Sequence, residues 1–127
     1  MILDAGFLIS VDRGERAAQE FLTAALNRRT PLHVTHPVVA QVWRDGSRRS
    51  RLARFLRSVE VHPFDDGPNI GMLLARARTS DVVDAHLVLL ALQLSEPILS
   101  GDVDDLSTII DAIGGPRPQL HAWPPPD

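Results

Sequence analysis

The stretch SDVVDAHLVLLALQLSEPILSGD, residues 80–102, decides how the chain is read. Asp81 is placed to cap a helix, and the apolar run that follows continues to Leu94 before Glu96-Pro97 closes it. Ile98-Leu99 then make a strand of two or three residues, and Gly101 turns the chain toward Asp102. A helix feeding a short, wholly apolar strand is the unit of a parallel α/β sheet. The two aspartates ahead of the helix raise a further question. Asp81 at the cap and Asp84 at the third helical position both suit the positive end of the helix dipole. Three-residue spacing, however, sets the two carboxylates on one face at roughly 5–6 Å, where like charges repel unless a cation lies between them. Capping alone and cation binding are both open readings of this stretch.

Working outward, the same alternation recurs. MILD at the start is a buried strand of minimal length with Asp4 at its carboxyl end, followed by AGFLIS. Residues 14–29 carry Ala17, Ala18, Phe21, Leu22, Ala25 and Leu26 at helical spacing, and Thr30-Pro31 stops them. Leu32 to Thr35 is a second strand. Pro37 opens a helix through Val38, Val39 and Val42 to Arg44, which Asp45-Gly46 ends. Ser47 can cap an arginine-rich helix in which Leu52, Phe55, Leu56 and Val59 form one stripe and Arg51, Arg54 and Arg57 face the other way. Glu60 to His62 is a weak third strand. A helix is predicted from about Ile70 to Arg78, and another, ending in glycine, over DVDDLSTIIDAIGG. Gln119 to Trp123 suits a last edge strand. The expectation is a three-layer α/β domain over residues 1–123, with a mainly parallel sheet flanked by helices and a proline-rich tail at 124–127.

Composition narrows the chemistry. A chain of 127 residues with 44% hydrophobic and 23% charged residues is sized for one ordinary core. It has no cysteine, which removes disulfides and thiolate metal sites. All 13 basic residues are arginine, so every mechanism that needs a lysine, P-loop nucleotide hydrolysis included, is excluded. The apolar stretches are too short to span a bilayer and the amino terminus has no export signature, so the expected location is the cytoplasm, without a membrane anchor.

In a doubly wound sheet, ligands bind beyond the carboxyl ends of the strands, where strand order reverses. Asp4 ends the first strand, Asp102 follows the Ile98-Leu99 strand, and Asp81 and Asp84 open a helix at the same level. Four carboxylates can thus meet at one edge. Oxygen-only ligands suit Mg²⁺ or Mn²⁺ and the metal-assisted hydrolysis of phosphodiesters.

These residues resemble a family. DAGFLISVDRG, VVAQVWRDG with its arginine run, SDVVDAHLVLLA and ILSGDVDDL, in this order, are similar to a PIN-domain ribonuclease, and specifically to a VapC-like toxin of a type II toxin-antitoxin system. The resemblance covers the chain from its first residue to about residue 112. It implies a Mg²⁺- or Mn²⁺-dependent endoribonuclease that cuts RNA, forms a homodimer and is neutralised by a cognate VapB-like antitoxin. Carried over by position, Asp4, Asp84 and Asp102 are the catalytic acids and metal ligands, Asp81 is an additional ligand, and Ser100 is the small hydroxyl residue that orients the site. Asp105 is an auxiliary candidate for contact with the metal or its water, although Asp104 and Asp105 both read first as favourable charges at a helix start. The sequence departs from the family at Gln41, where the resemblance implies a glutamate. An amide brings no charge and is a poor base. Either Asp81 compensates, or the chain is a PIN-fold module that binds RNA or a partner without cutting.

Residues 44–57, RDGSRRSRLARFLR, hold six arginines against one aspartate in a chain of net charge −3. Arg44, Arg48, Arg49 and Arg51 are candidates for an RNA phosphate track, and an acidic antitoxin segment or plain solvation are the alternatives. The five histidines show no metal-ligand spacing, and His86, two residues after Asp84, points away from the acidic face. Leu73, Leu74 and Trp43 are expected to supply apolar surface for association. A haloacid-dehalogenase-type phosphatase is excluded by Gly6, where a second aspartate is needed, and a phosphorelay receiver by the missing lysine.

Overall fold

The computed structural model describes residues 1–44 and 50–126. The strands are β1 (Ile2–Leu3), β2 (His33–Thr35), β3 (Glu60–His62), β4 (Ile98–Ser100) and β5 (Leu120–Ala122). The helices are α1 (Ala5–Asp12), α2 (Arg16–Asn27), α3 (His36–Trp43), α4 (Ser50–Leu56), α5 (Gly67–Ala77), α6 (Val82–Leu94) and α7 (Val103–Asp111). The five strands form one sheet in the order β3-β2-β1-β4-β5, and every neighbouring pair is parallel. Helices α1–α4 pack among themselves, as do α5–α7, and together they flank the sheet. The result is the three-layer α/β architecture expected from the alternation of elements. Among the described residues, no helix is long and apolar enough to cross a membrane.

The chain starts in the middle of the sheet, builds β2 and β3 to one side, then returns to lay β4 and β5 on the other. The reversal therefore falls between β1 and β4, whose carboxyl ends face a common crevice. All the residues of β1, β2 and β4 are buried, as strands covered on both faces must be.

Helix α1, over AGFLISVD, has no counterpart among the elements that sequence periodicity predicts. Asp4 caps it by accepting a hydrogen bond from the Ala5 amide at 2.7 Å. Phe7, Leu8, Ser10, Val11 and Asp12 are all buried, so the helix has core on most of its circumference and shows no apolar stripe. Phe7 lies at the centre of an aromatic cluster, edge-on to Phe21 at 5.1 Å and to Trp123 at 4.7 Å between ring centroids. The Trp123 indole N–H donates to Ser10 Oγ at 3.0 Å, which fastens the chain beyond β5 to α1.

Other boundaries moved by a few residues. Helix α5 starts at Gly67, three residues before the expected Ile70, because Pro68 fits its first turn. Helix α7 stops at Asp111, ahead of the glycines. Leu73, expected at the surface, is only 7% exposed and belongs to the core, whereas Met72 beside it faces solvent. Trp43 keeps 36% of its surface exposed at the end of α3. Ser47, the expected cap of the arginine helix, lies outside the described residues.

Candidate functional site

The crevice between β1 and β4 is built by caps. Asp4 follows β1 and is buried, with its Oδ1 on the Ala5 amide and its Oδ2 accepting from Ser100 Oγ at 2.6 Å. Ser100 ends β4 with 0% of its surface exposed, and its Oγ in turn accepts from the Asp102 amide at 2.8 Å. One buried hydroxyl thus ties the end of β1 to the start of α7. Gly101 makes the close turn possible: a Cβ there would stand 3.3 Å from the Trp123 carbonyl oxygen. Asp102 occupies the cap position of α7 but makes no side-chain capping bond, which leaves its carboxylate to the crevice.

Asp81 caps α6 by accepting from the Asp84 amide at 3.0 Å. Capping therefore accounts for Asp81. It does not account for Asp84, whose side chain lies in the first turn, only 8% exposed. Carboxylate oxygens of Asp84, Asp102 and Asp105 all lie within 4.8 Å of one another. Asp81, Asp84 and Asp105 also line a cavity of about 180 Å³ with Thr79 and Thr108.

The electrostatics follow from this crowding. Burial, then the charges of Asp81 and Asp4, the hydrogen bond with Asp81 and the charge of Asp102, push the Asp84 carboxyl up to about 7. Desolvation raises Asp102 above the usual carboxylate range, and the charge of Asp105, a hydrogen bond with it, and the charges of Asp4 and Asp81 add to the rise. Among the described residues, none of these five acids forms an ion pair. An oxygen-only cluster that raises its own pKa values and, among the described residues, has no ion-pair partner has the donor chemistry of a hard divalent cation site.

Of the residues singled out in the sequence, Asp84 and Asp102 come together, Asp81 adjoins them, and Asp4 stands close enough to act on both electrostatically. Asp105, which the sequence reads first as a helix-start charge and only secondarily as a contact to metal or its water, stands inside the tightest group. Gln41 is exposed on α3, and that helix contributes no carboxylate to the group. Arg44 is exposed at the end of α3. Arg51 is exposed on α4 and reaches the Asp12 carbonyl at 3.4 Å. Arg48 and Arg49 lie outside the described residues. His86 is buried with its ring edge-on to Phe64, and burial lowers its pKa, a structural role in keeping with its position.

Two of the histidines, without a metal-ligand spacing along the sequence, are brought together by the fold. His33 on β2 and His62 on β3 meet across neighbouring strands with Glu60 beside them, a grouping visible only once β2 and β3 are known to pair. Burial, the amino terminus and His62 hold His33 below the usual imidazole range, with Glu60 and Glu96 opposing. The one local signal was Glu60-x-His62, two potential ligands at strand spacing. No protein-family model matches the chain, and no curated protein matches it.

Proposed function

We propose that the protein is a Mg²⁺- or Mn²⁺-dependent endoribonuclease of the PIN-domain, VapC-like kind, acting in the cytoplasm and neutralised by a VapB-like antitoxin. The observation that carries the proposal is the convergence of Asp84, Asp102 and Asp105 within 4.8 Å, beside the point where the sheet reverses its strand order. Asp84, Asp102 and Asp105 would hold the ion, with Asp4 and Asp81 adjoining. An ion bound there supplies positive charge to polarise water and to offset charge developing on the phosphodiester.

The chain's own residues do the positioning. Ser100 fixes Asp4 and the start of α7 through two hydrogen bonds, so the acids of β1 and α7 keep their spacing. Asp81 holds the first turn of α6 and thereby Asp84. Burial and the neighbouring acids push the metal-free Asp84 carboxyl up to about 7, so binding an ion there would release a proton near neutral pH. The exposed arginines Arg44, Arg51, Arg54 and Arg57 offer charge for an RNA backbone, with Arg48 and Arg49 in the same run. A homodimer belongs to the same proposal, with Trp43 and Met72 as exposed apolar residues available to it.

Gln41 favours a second reading, a PIN-fold module that binds RNA or a partner without cutting, because α3 brings no acid to the site. Cleavage of RNA in the presence of Mn²⁺ separates the two. The nuclease proposal expects cleavage that Asp84→Asn and Asp4→Asn each abolish. RNA binding without cleavage, unchanged in those variants, would establish the binding module instead.

A further inference from the structure

His33, Glu60 and His62 form a group separate from the acidic one, on β2 and β3 rather than after β1 and β4. His33 opens β2, Glu60 opens β3, and the two are register partners. His62 follows Glu60 by two positions, so the strand's period returns its side chain to the face Glu60 occupies. His33 Nδ1 and His62 Nε2 are 3.0 Å apart. The Glu60 carboxylate stands against both rings, with Oε2 at 3.5 Å from His33 Nδ1 and Oε1 at 3.8 Å from His62 Nε2.

These separations are within a few tenths of an ångström of those of ligands around a small cation. A tetrahedral Zn²⁺ with bonds of about 2.0–2.2 Å holds its ligand atoms about 3.3–3.6 Å from one another. The ring nitrogens stand slightly closer than that and the carboxylate, which meets each ring through a different oxygen, at or slightly beyond it, so small movements would bring one oxygen and the two nitrogens to such spacing. A charge-assisted pair between an imidazolium and Glu60 would instead close to about 2.7–2.9 Å. A ring-to-ring hydrogen bond accounts for the 3.0 Å contact but gives no reason for the carboxylate to face both ring nitrogens. The donor set also differs in kind from that of the crevice. Two imidazoles and one carboxylate suit Zn²⁺ and its transition-metal neighbours, whereas Mg²⁺ prefers oxygen throughout.

We propose that His33, Glu60 and His62 form a transition-metal site of the two-histidine, one-carboxylate type, with Zn²⁺ its fitting ion and a position left for solvent or a further ligand. The ligands come from two adjacent strands, one of them the edge strand β3, so the ion clasps that edge to the body of the sheet. The site is independent of the acidic crevice and of the activity proposed for it.

The test is a calorimetric titration of metal-stripped protein with Zn²⁺ in excess Mg²⁺, so that the acidic crevice is kept supplied with its own ion. Histidine ring ¹⁵N resonances are recorded alongside. The expected result is one Zn²⁺ per chain, movement of the His33 and His62 resonances, and affinity at least about tenfold weaker in His62→Gln and in Glu60→Gln. Glu60 is exposed, so its variant keeps the fold even if the His62 variant does not. Asp84→Asn should leave Zn²⁺ binding unchanged. Wild-type affinity in Glu60→Gln without movement of the two histidine resonances, or Zn²⁺ binding that disappears in Asp84→Asn, would overturn the proposal.

Discussion

Two residues divide the work at the crevice, and each can be tested alone. Asp84 has a folded pKa of about 7 against 3.8 as the ordinary value, so the folded state holds the proton more tightly than the unfolded chain. Stability from this group is complete below the ordinary value and is lost as pH rises through about 7. The metal-free protein should accordingly lose melting temperature between those limits. Asp84→Asn, which cannot ionise, should melt higher at neutral pH, show a flatter pH dependence and gain less from Mg²⁺ or Mn²⁺. Thermal melts across pH, with and without metal, measure all three, and an unchanged pH slope in the variant would assign the effect to other groups. Ser100 acts by hydrogen bonding. Ser100→Ala leaves buried Asp4 and the Asp102 amide without their shared partner, and should cost about 1–3 kcal/mol in urea unfolding while weakening metal binding.

At the scale of elements, the turn between α1 and α2 depends on Gly14. Its φ of 68° lies in the left-handed region, and a Cβ there would stand 2.9 Å from the Arg51 guanidinium of α4. Gly14→Ala should therefore destabilise by about 1–2 kcal/mol, the strain of that backbone region, plus a contribution from displacing Arg51. In an Arg51→Ala background the second contribution disappears. A double-mutant cycle in denaturant reads the difference, and strict additivity would show that Arg51 moves aside without cost. Helix α4 buries Leu52 and Phe55 while Arg51, Arg54 and Arg57 stay exposed. If that face tracks RNA, Arg54→Ala and Arg57→Ala should each reduce the slope of log affinity against log salt by about 0.7. Binding measured over a range of salt gives this directly, and an unaltered slope would leave the arginines as a solvated face.

For the whole molecule, the chain beyond β5 is part of the core through Trp123, which meets Phe7 and Phe21 and hydrogen-bonds Ser10. Trp123→Ala should cost about 3–5 kcal/mol and lower the unfolding midpoint in a single cooperative transition. Loss of β5 alone, with the remaining sheet unfolding at its original midpoint, would show that this segment is only loosely coupled.

The sequence by itself determined the alternation of strands and helices, the cap at Asp81, the place of Asp4 at the carboxyl end of the first strand and the apolar stripe of α4. All of these are set by residues within a turn or two of one another, through periodicity, capping and turn chemistry. Helix α1 was illegible for a related reason. With core on most sides it carries no period, and nothing local distinguishes AGFLIS from an extended run. The order β3-β2-β1-β4-β5 was decided by tertiary structure alone, and so was everything that follows from strand pairing. It placed Asp105 within the acidic group, left Gln41 exposed and apart from that group, and brought His33 to Glu60 and His62 across about thirty residues of chain. No local rule links such positions. They meet because burying β1, β2 and β4 on both faces leaves the chain few ways to close its core.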